Sequence, residues 1–161
     1  MRIPLLVVVL LAASPAGAAE LGLNFGYDDV FGRNGSGAAS FGVQYLTDPL
    51  ATLGVVGFGL GLAGEVDTEG DVWGGGGVTA GLPLGDAGVR VGVSFMVGGY
   101  ALGNGGDDLG SGLEFRSRLG ISAPVAAPWR VGLAIEHKSN AGLGDINPGV
   151  ETLYVTLSRR F

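Results

Sequence analysis

The sequence contains no cysteine, and its 161 residues include only nine lysine or arginine residues against 15 aspartate or glutamate residues. The chain must therefore hold its fold without disulfides. Its net charge of −6 argues against nucleic acid as a partner, because contacts with phosphates require a basic surface. After the N-terminus, no stretch approaches the ~18 continuous apolar residues of a membrane-spanning helix. Because 47% of the residues are nevertheless hydrophobic, the composition favours a closed β-barrel, the other structure that satisfies its backbone within a bilayer.

Residues 1–19 have the pattern of a secretory signal peptide. Arg2 carries one positive charge, residues 5–13 form a short apolar run, and Ala16-Gly17-Ala18 provides the small residues of a cleavage site. The apolar run is about half the length of a spanning helix, and an uncleaved N-terminal anchor is the alternative. Residues 20–161 then form a single exported barrel domain.

Eight segments of the mature chain alternate between apolar and polar or small residues, which predicts eight β-strands. They cover approximately 20–28, 37–46, 52–63, 72–82, 87–100, 111–122, the segment that begins at Trp129, and the segment from about Val150 to Phe161. Short turns (47–51, 83–87 and 123–128) alternate with longer polar loops (28–36, 64–71, 101–110 and 141–149). Because this pattern is typical of outer-membrane barrels, we predict an all-β fold. It is an eight-stranded antiparallel transmembrane β-barrel in the outer membrane of a Gram-negative bacterium.

The alternation also assigns side chains to the two faces of the barrel wall. In the segment 111–122, the lipid-facing residues are Leu113, Phe115, Leu119 and Ile121, and the lumenal residues are Glu114, Arg116 and Arg118. In the last strand, Leu153, Val155 and Leu157 face lipid, whereas Thr152, Tyr154 and Thr156 face inward. Lone buried charges are costly, so we expect these lumenal charges, alongside Glu136, Lys138 and Arg160, to pair with one another and with water.

Four successive glycines, Gly74 to Gly77, interrupt the pattern within the fourth segment. Glycine suits the bends of a barrel and close backbone approach, although it weakens a strand. A phosphate-binding loop is the functional alternative, but no Gly-Lys-Ser/Thr sequence or helix follows. We therefore predict a strand here.

Three chemically reactive side chains share the lipid-facing parity near one end of the last two strands. His137 and Ser139 are two residues apart on the seventh strand, so both project to the same side. Glu151 has the outward parity on the eighth strand, where directly opposed side chains lie ~5 Å apart. A nucleophile, a base and a carboxylate within reach follow the logic of a Ser-His-acid triad. The alternative is that they have no function, since charges near the ends of a barrel's lipid face cost only ~0–1 kcal/mol.

The segment from His137 to Gly142 reads His-Lys-Ser-Asn-Ala-Gly, and it is followed by Asn147-Pro148-Gly149 and by Glu151. This motif resembles the PagL family of outer-membrane lipid A 3-O-deacylases. The resemblance implies an eight-stranded barrel with its catalytic triad on the lipid-facing outer wall. It also implies lipid A, within lipopolysaccharide, as the substrate, and chemistry that needs no cofactor or metal. A site on the outer wall near the extracellular rim would face the outer leaflet, where lipid A lies.

The same resemblance implies a role for each residue of the motif. Ser139 is expected to be the nucleophile, His137 the general base, and Glu151 the group that orients the imidazole and stabilises its charged form. An oxyanion site is also expected, because an attacked ester carbonyl develops negative charge in the transition state. The residues expected to form it are Asn147, Asn140 and, through its backbone N–H, Gly142.

Two other functions fit the same architecture. A non-catalytic barrel for adhesion or membrane scaffolding would share the fold, but it would leave the spacing of the motif as a coincidence. A barrel phospholipase or acyltransferase would use the same triad, since the triad specifies attack on an ester and not the acceptor. The sequence carries no signal for a particular oligomeric state.

Overall fold

The computed structural model describes residues 19–32 and 37–161, which form one β-sheet closed on itself. Its strands are β1 (Ala19–Tyr27), β2 (Ala39–Thr47), β3 (Ala51–Leu53), β4 (Val56–Asp67), β5 (Val72–Leu84), β6 (Val89–Ala101), β7 (Leu113–Ala126), β8 (Trp129–Ser139) and β9 (Val150–Arg160). Residues 1–18 lie outside the described residues, so the signal peptide stays a prediction. No helix in the described part of the chain is long and apolar enough to cross a membrane.

The long strands pair antiparallel with their neighbours along the chain, as in an up-and-down meander. β1 also pairs with β9, and β2 pairs with β4, which closes the sheet into a barrel of eight strands. The short β3 pairs with β4 in a small hairpin. The predicted eight-stranded antiparallel barrel is therefore confirmed. A closed wall pairs every strand edge, which is what hydrocarbon surroundings require.

The connections lie at two ends of the barrel. Those after β1, β4, β6 and β8 lie at one end, named here the loop end, and those after β2, β5 and β7 lie at the opposite turn end. The predicted third strand, 52–63, is wrong at its start, because Gly54 adopts φ 59° and turns the chain from β3 into β4. Glycine reaches this left-handed conformation without steric cost.

Two predicted connections are also shorter than expected. The predicted loop 64–71 reduces to residues 68–71, because β4 keeps its alternation as far as Asp67. The predicted turn 123–128 reduces to two residues, because β7 continues past a register shift near Pro124. In both places the backbone ladder overrides polar or proline residues that favour turns in isolation.

The two faces of the wall have the predicted chemistry. The predicted lipid-facing residues Leu113, Leu119 and Ile121 are exposed, and so are Phe58, Leu60 and Leu62 of β4. Leu153, Val155 and Leu157 also face outward, whereas Thr152, Tyr154 and Thr156 are buried in the lumen. The glycine-rich segment is a strand, since Gly74 to Gly77 pair with both β4 and β6.

Five lumenal residues form a continuous group of ion pairs, named here the lumenal ion cluster. Glu65 Oε1 forms an ion pair with Arg116 Nε at 2.6 Å, and Glu65 Oε2 accepts a hydrogen bond from Lys138 Nζ at 2.7 Å. Glu136 Oε2 lies 2.5 Å from Arg116 and 3.2 Å from Arg118. All five side chains are buried, so each charge depends on its partners in place of water.

Glu65 is the residue of this cluster that the sequence analysis missed, because it lies within the predicted loop 64–71. The ion pairs expected of Arg116, Arg118, Glu136 and Lys138 are formed. Arg160 lies outside this cluster, because its guanidinium forms an ion pair with Asp48, at 2.7 Å, at the turn end. Arg160 is therefore paired, but apart from the lumenal ion cluster, because it lies at the far end of its strand.

The lumen is filled in its loop half and open in its turn half. Arg116 stacks on Trp73 at 5.2 Å and Arg118 on Tyr154 at 5.0 Å, and Met96 is fully buried beside them. Toward the turn end lies a cavity of about 360 Å³, lined by glycines and small side chains together with charged residues such as Glu20, Arg90 and Arg160. The filled half supports the wall behind the motif residues of β8 and β9.

Asp28, the first residue after β1, is a buried carboxyl at the loop end. Its Oδ1 accepts a hydrogen bond from the Ala38 N–H at 2.7 Å. Burial raises the pKa of Asp28 to about 6; the Ala38 N–H opposes this rise, and the nearby Asp67 adds to it. The folded protein therefore has to ionise a buried group as the pH rises through 6.

We predict that Glu65→Gln destabilises the barrel by about 3–5 kcal/mol, because removing one carboxylate leaves buried cations without compensation. The matched control is Asp48→Asn, which breaks a partly exposed pair and should cost less than about 1 kcal/mol. Urea unfolding of each variant in lipid vesicles, followed by tryptophan fluorescence, measures both effects. Equal losses for the two variants would contradict the central place of the cluster.

A second prediction concerns pH. When a carboxyl has a higher pKa in the folded protein than in the unfolded chain, the free energy of unfolding falls as the pH rises between the two pKa values. Asp28→Asn keeps the acceptor for Ala38 and cannot ionise, so it should be more stable than wild type at pH 8 and equal at pH 4. Unfolding midpoints across this range test the claim, and a stability difference that does not change with pH would refute it.

Candidate active site

The pairing of β8 with β9 places His137 directly opposite Glu151 on the outer wall. His137 Nδ1 lies 3.1 Å from Glu151 Oε1, which is a hydrogen bond. Since a carboxylate accepts, Nδ1 carries the proton and donates it, and Nε2 is left with a free lone pair. The imidazole is thus held in the tautomer that a general base requires.

Ser139 lies two residues beyond His137 on the same outward face and is partly exposed. Among the described residues, its hydroxyl forms no hydrogen bond with His137. Contacts of this kind commonly shorten only when substrate binds. The structure therefore brings His137 and Glu151 into contact and leaves Ser139 adjacent.

Glu151 is more enclosed than its lipid-facing parity suggests. Its side chain is 10% exposed, against 43% for His137. The segment after β1 crosses β9 here, and the Val30 N–H donates to the Glu151 backbone carbonyl at 3.1 Å. Exclusion of water strengthens the attraction between the carboxylate and a charged imidazole. The sequence carries no signal for this contact, which joins residues far apart in the chain.

Gly149 packs directly against the His137 ring. A Cβ at this position would lie 2.7 Å from His137 Cε1, and the backbone has φ 67°. A side chain would be strained there and would displace the imidazole. With glycine at this position, the chain can turn into β9 and the imidazole of His137 keeps its place.

Asn140 is a structural centre of the loop between β8 and β9. Its side chain is fully buried, and Nδ2 donates to the carbonyls of Leu109 and Ile146 at 2.7 Å each. Its Oδ1 accepts from the Gly142 N–H at 2.8 Å. Two of the three expected oxyanion donors, Asn140 and Gly142, are therefore engaged within the loop.

Of the three expected oxyanion donors, Asn147 is the one whose donor group is not engaged within the loop. Its Oδ1 accepts from the Asn140 backbone N–H at 3.0 Å, which fixes the orientation of the amide. Its Nδ2 has no hydrogen-bond partner within residues 19–32 and 37–161, and the residue is exposed. Asn140 therefore positions Asn147, and Asn147 presents an N–H donor at the surface.

The backbone between Ser139 and Asn147 is strained. Ala141 has φ 55°, a left-handed conformation that costs a residue with a Cβ roughly 1–2 kcal/mol. Gly142 follows with φ 79°. The hydrogen bond of Asn140 to Gly142 holds this turn, as in an Asx-turn. Backbone strain of this kind persists only where surrounding contacts enforce it, which is common at functional sites.

Ser117 is an outward-facing residue near this site that was not among the residues predicted from the sequence. It pairs directly with His137 across β7 and β8 and is exposed. The alternation that makes Phe115 and Leu119 lipid-facing applies equally to Ser117, so the signal was present. Within the described residues, no group of three or more potential metal ligands occurs.

Comparison with solved structures identifies similar barrels. The crystal structure of the outer membrane enzyme PagL superposes with a TM-score of 0.67 at 16% identity, covering 87% of this chain and 98% of that one. A de novo designed transmembrane β-barrel has a TM-score of 0.56 at 8% identity, with 92% and 98% coverage. Neisserial surface protein A has a TM-score of 0.56 at 9% identity, with 89% and 96% coverage. At these identities the likeness shows the fold.

The family comparison is more specific. A search of the curated proteins finds no match. The family model described as lipid A 3-O-deacylase (PagL) matches residues 39–160. This range includes every strand from β2 onward and the whole motif of the last two strands. The chain therefore belongs to the PagL family of outer-membrane lipid A 3-O-deacylases.

Proposed function

We propose that the protein hydrolyses the ester-linked acyl chain at the 3-position of lipid A with a Ser139–His137–Glu151 triad on its outer wall. Family membership supports the reaction. The observation that carries the triad is the hydrogen bond between His137 Nδ1 and Glu151 Oε1 beside Ser139.

In this mechanism Ser139 Oγ attacks the ester carbonyl while His137 Nε2 accepts its proton. Glu151 stabilises the imidazolium that forms. The tetrahedral intermediate collapses, the bond between the carbonyl carbon and the sugar oxygen breaks, and His137 gives its proton to that oxygen, which leaves as a hydroxyl. A water molecule, deprotonated by His137, then attacks the acyl-enzyme carbonyl. The bond to Ser139 Oγ breaks, His137 returns the proton to Oγ, and the 3-hydroxy fatty acid is released.

Asn147 Nδ2 is the donor best placed to stabilise the oxyanion. Its amide is already oriented by the Asn140 N–H, so little reorganisation is needed when charge develops. Asn140 acts as a positioning residue through its three side-chain hydrogen bonds. The Gly142 N–H would serve the oxyanion only by giving up its bond to Asn140.

The location of the triad suits a substrate that remains in the membrane. Strand ends at the loop end of such a barrel lie on the extracellular side, where lipid A occupies the outer leaflet. Its ester bonds lie just below the head groups, at the depth of the strand ends. A triad on the outer wall there meets these esters without extracting the lipid.

We predict that Ser139→Ala and His137→Ala each lower turnover by at least about 10⁴-fold, because the two act as a unit. Glu151→Ala should retain more activity, since the acid orients and stabilises the base. Mass spectrometry of purified lipid A, following loss of one hydroxyacyl group, measures turnover. Ser94→Ala, a lumenal change, is the control and should stay fully active. If Ser139→Ala were as active as the wild type, the serine mechanism would be eliminated.

Asn147→Ala should lower kcat by about 10²–10³-fold, the usual cost of losing one oxyanion donor. Because Asn147→Ala also removes the Oδ1 acceptor of the Asn140 N–H, the free energy of unfolding should fall by about 0.5–1.5 kcal/mol while the barrel still folds. Asn104→Ala, an exposed asparagine in the loop after β6, is the matched control with unchanged kcat. The proposed role fails if Asn147→Ala changes KM alone.

A further inference from the structure

The outward positions of the eight long strands are almost entirely aliphatic, aromatic or glycine. Within these described strands, two exceptions lie at the turn end and three are the triad residues. The remaining exception is Ser117. A hydroxyl facing hydrocarbon loses its hydrogen bonds to water, so its position needs a physical reason.

Ser117 has a defined place relative to the triad. It is paired with His137 across the β7–β8 ladder, on the side opposite to Glu151. Ser139 pairs with Phe115, so Ser117 lies one outward row nearer the turn end, roughly 7 Å further along the strand direction. It therefore lies deeper in the membrane than the attacked ester.

An aromatic residue borders Ser117 on the side away from His137. Phe95 pairs with Ser117 across β6 and β7, and its ring stacks on Phe115 with centroids 5.8 Å apart. The small serine therefore lies between the larger side chains of Phe95 on β6 and His137 on β8. An acyl chain that runs from Ser139 into the hydrocarbon would pass this position.

We propose that Ser117 is a specificity-determining residue that hydrogen-bonds the 3-hydroxyl of the scissile acyl chain. This inference rests on the proposed function. The hydroxyl group lies two carbons beyond the carbonyl carbon of the acyl chain. It is therefore deeper in the membrane than the ester, at the depth of Ser117. Pairing the two hydroxyls satisfies two groups that would otherwise lie unpaired in lipid. Sites that bond a substrate hydroxyl discriminate against analogues without it.

The test compares two synthetic lipid A monosaccharides that differ at one atom. One carries a 3-hydroxymyristoyl ester at the 3-position and the other a myristoyl ester. Wild type should show a kcat/KM at least about tenfold higher on the hydroxylated ester, which corresponds to one net hydrogen bond. Ser117→Ala should lose this preference by slowing on the hydroxylated ester alone, and Ser117→Thr, which keeps a hydroxyl, should retain it.

Leu119→Ala, the next outward residue on β7, controls for a general change in the wall and should leave the ratio unchanged. Equal wild-type rates on the two esters would overturn the inference and leave the proposed function intact. Equal slowing of Ser117→Ala on both esters would also overturn it, because that result indicates a structural role. A wild type inactive on both esters would instead refute the proposed function itself.

Discussion

The hydrogen-bonding requirement of a backbone surrounded by hydrocarbon governs the rest of this structure. Only helices and closed barrels satisfy it, and residues 19–32 and 37–161 satisfy it as a closed barrel. The β1–β9 and β2–β4 pairings complete the ladder around the wall. In a closed barrel, successive side chains of each strand point alternately to the lipid and to the lumen. The position of a residue along its strand therefore decides which of the two environments its side chain meets. A shift of one residue would exchange the two environments completely.

The same constraint explains why the charges lie inside. Glu65 joins Arg116 to Lys138, and Glu136 joins Arg116 to Arg118, so strands from both sides of the lumen are connected. Such clusters add little net stability over apolar packing, but they penalise any arrangement that separates the partners. Two of these charges, Glu136 and Lys138, flank His137 in sequence. The lumenal ion cluster thus fixes the register of β8, and with it the outward direction of His137 and Ser139.

Alternation was sufficient to predict the number of strands, their faces and the grouping of His137, Ser139 and Glu151, because these depend on parity alone. Glu65 was missed because its polar and glycine neighbours resemble a loop. The sequence could not predict the contact between Val30 and Glu151. It also could not predict the hydrogen bonds that Asn140 donates to Leu109 and Ile146. Each depends on loops from distant parts of the chain that meet only after the barrel closes.

A designed barrel shares this architecture at 8% identity, and a fold by itself does not specify a function. On this chain, the feature that needs a functional reason is the small set of polar side chains on the lipid face. Lipid disfavours each of them, and yet four lie together on β7, β8 and β9. If they were tolerated substitutions, they would be scattered around the rim of the barrel. Their concentration in one sector, with His137 between Ser117 and Glu151, is what a substrate approaching from the membrane would require.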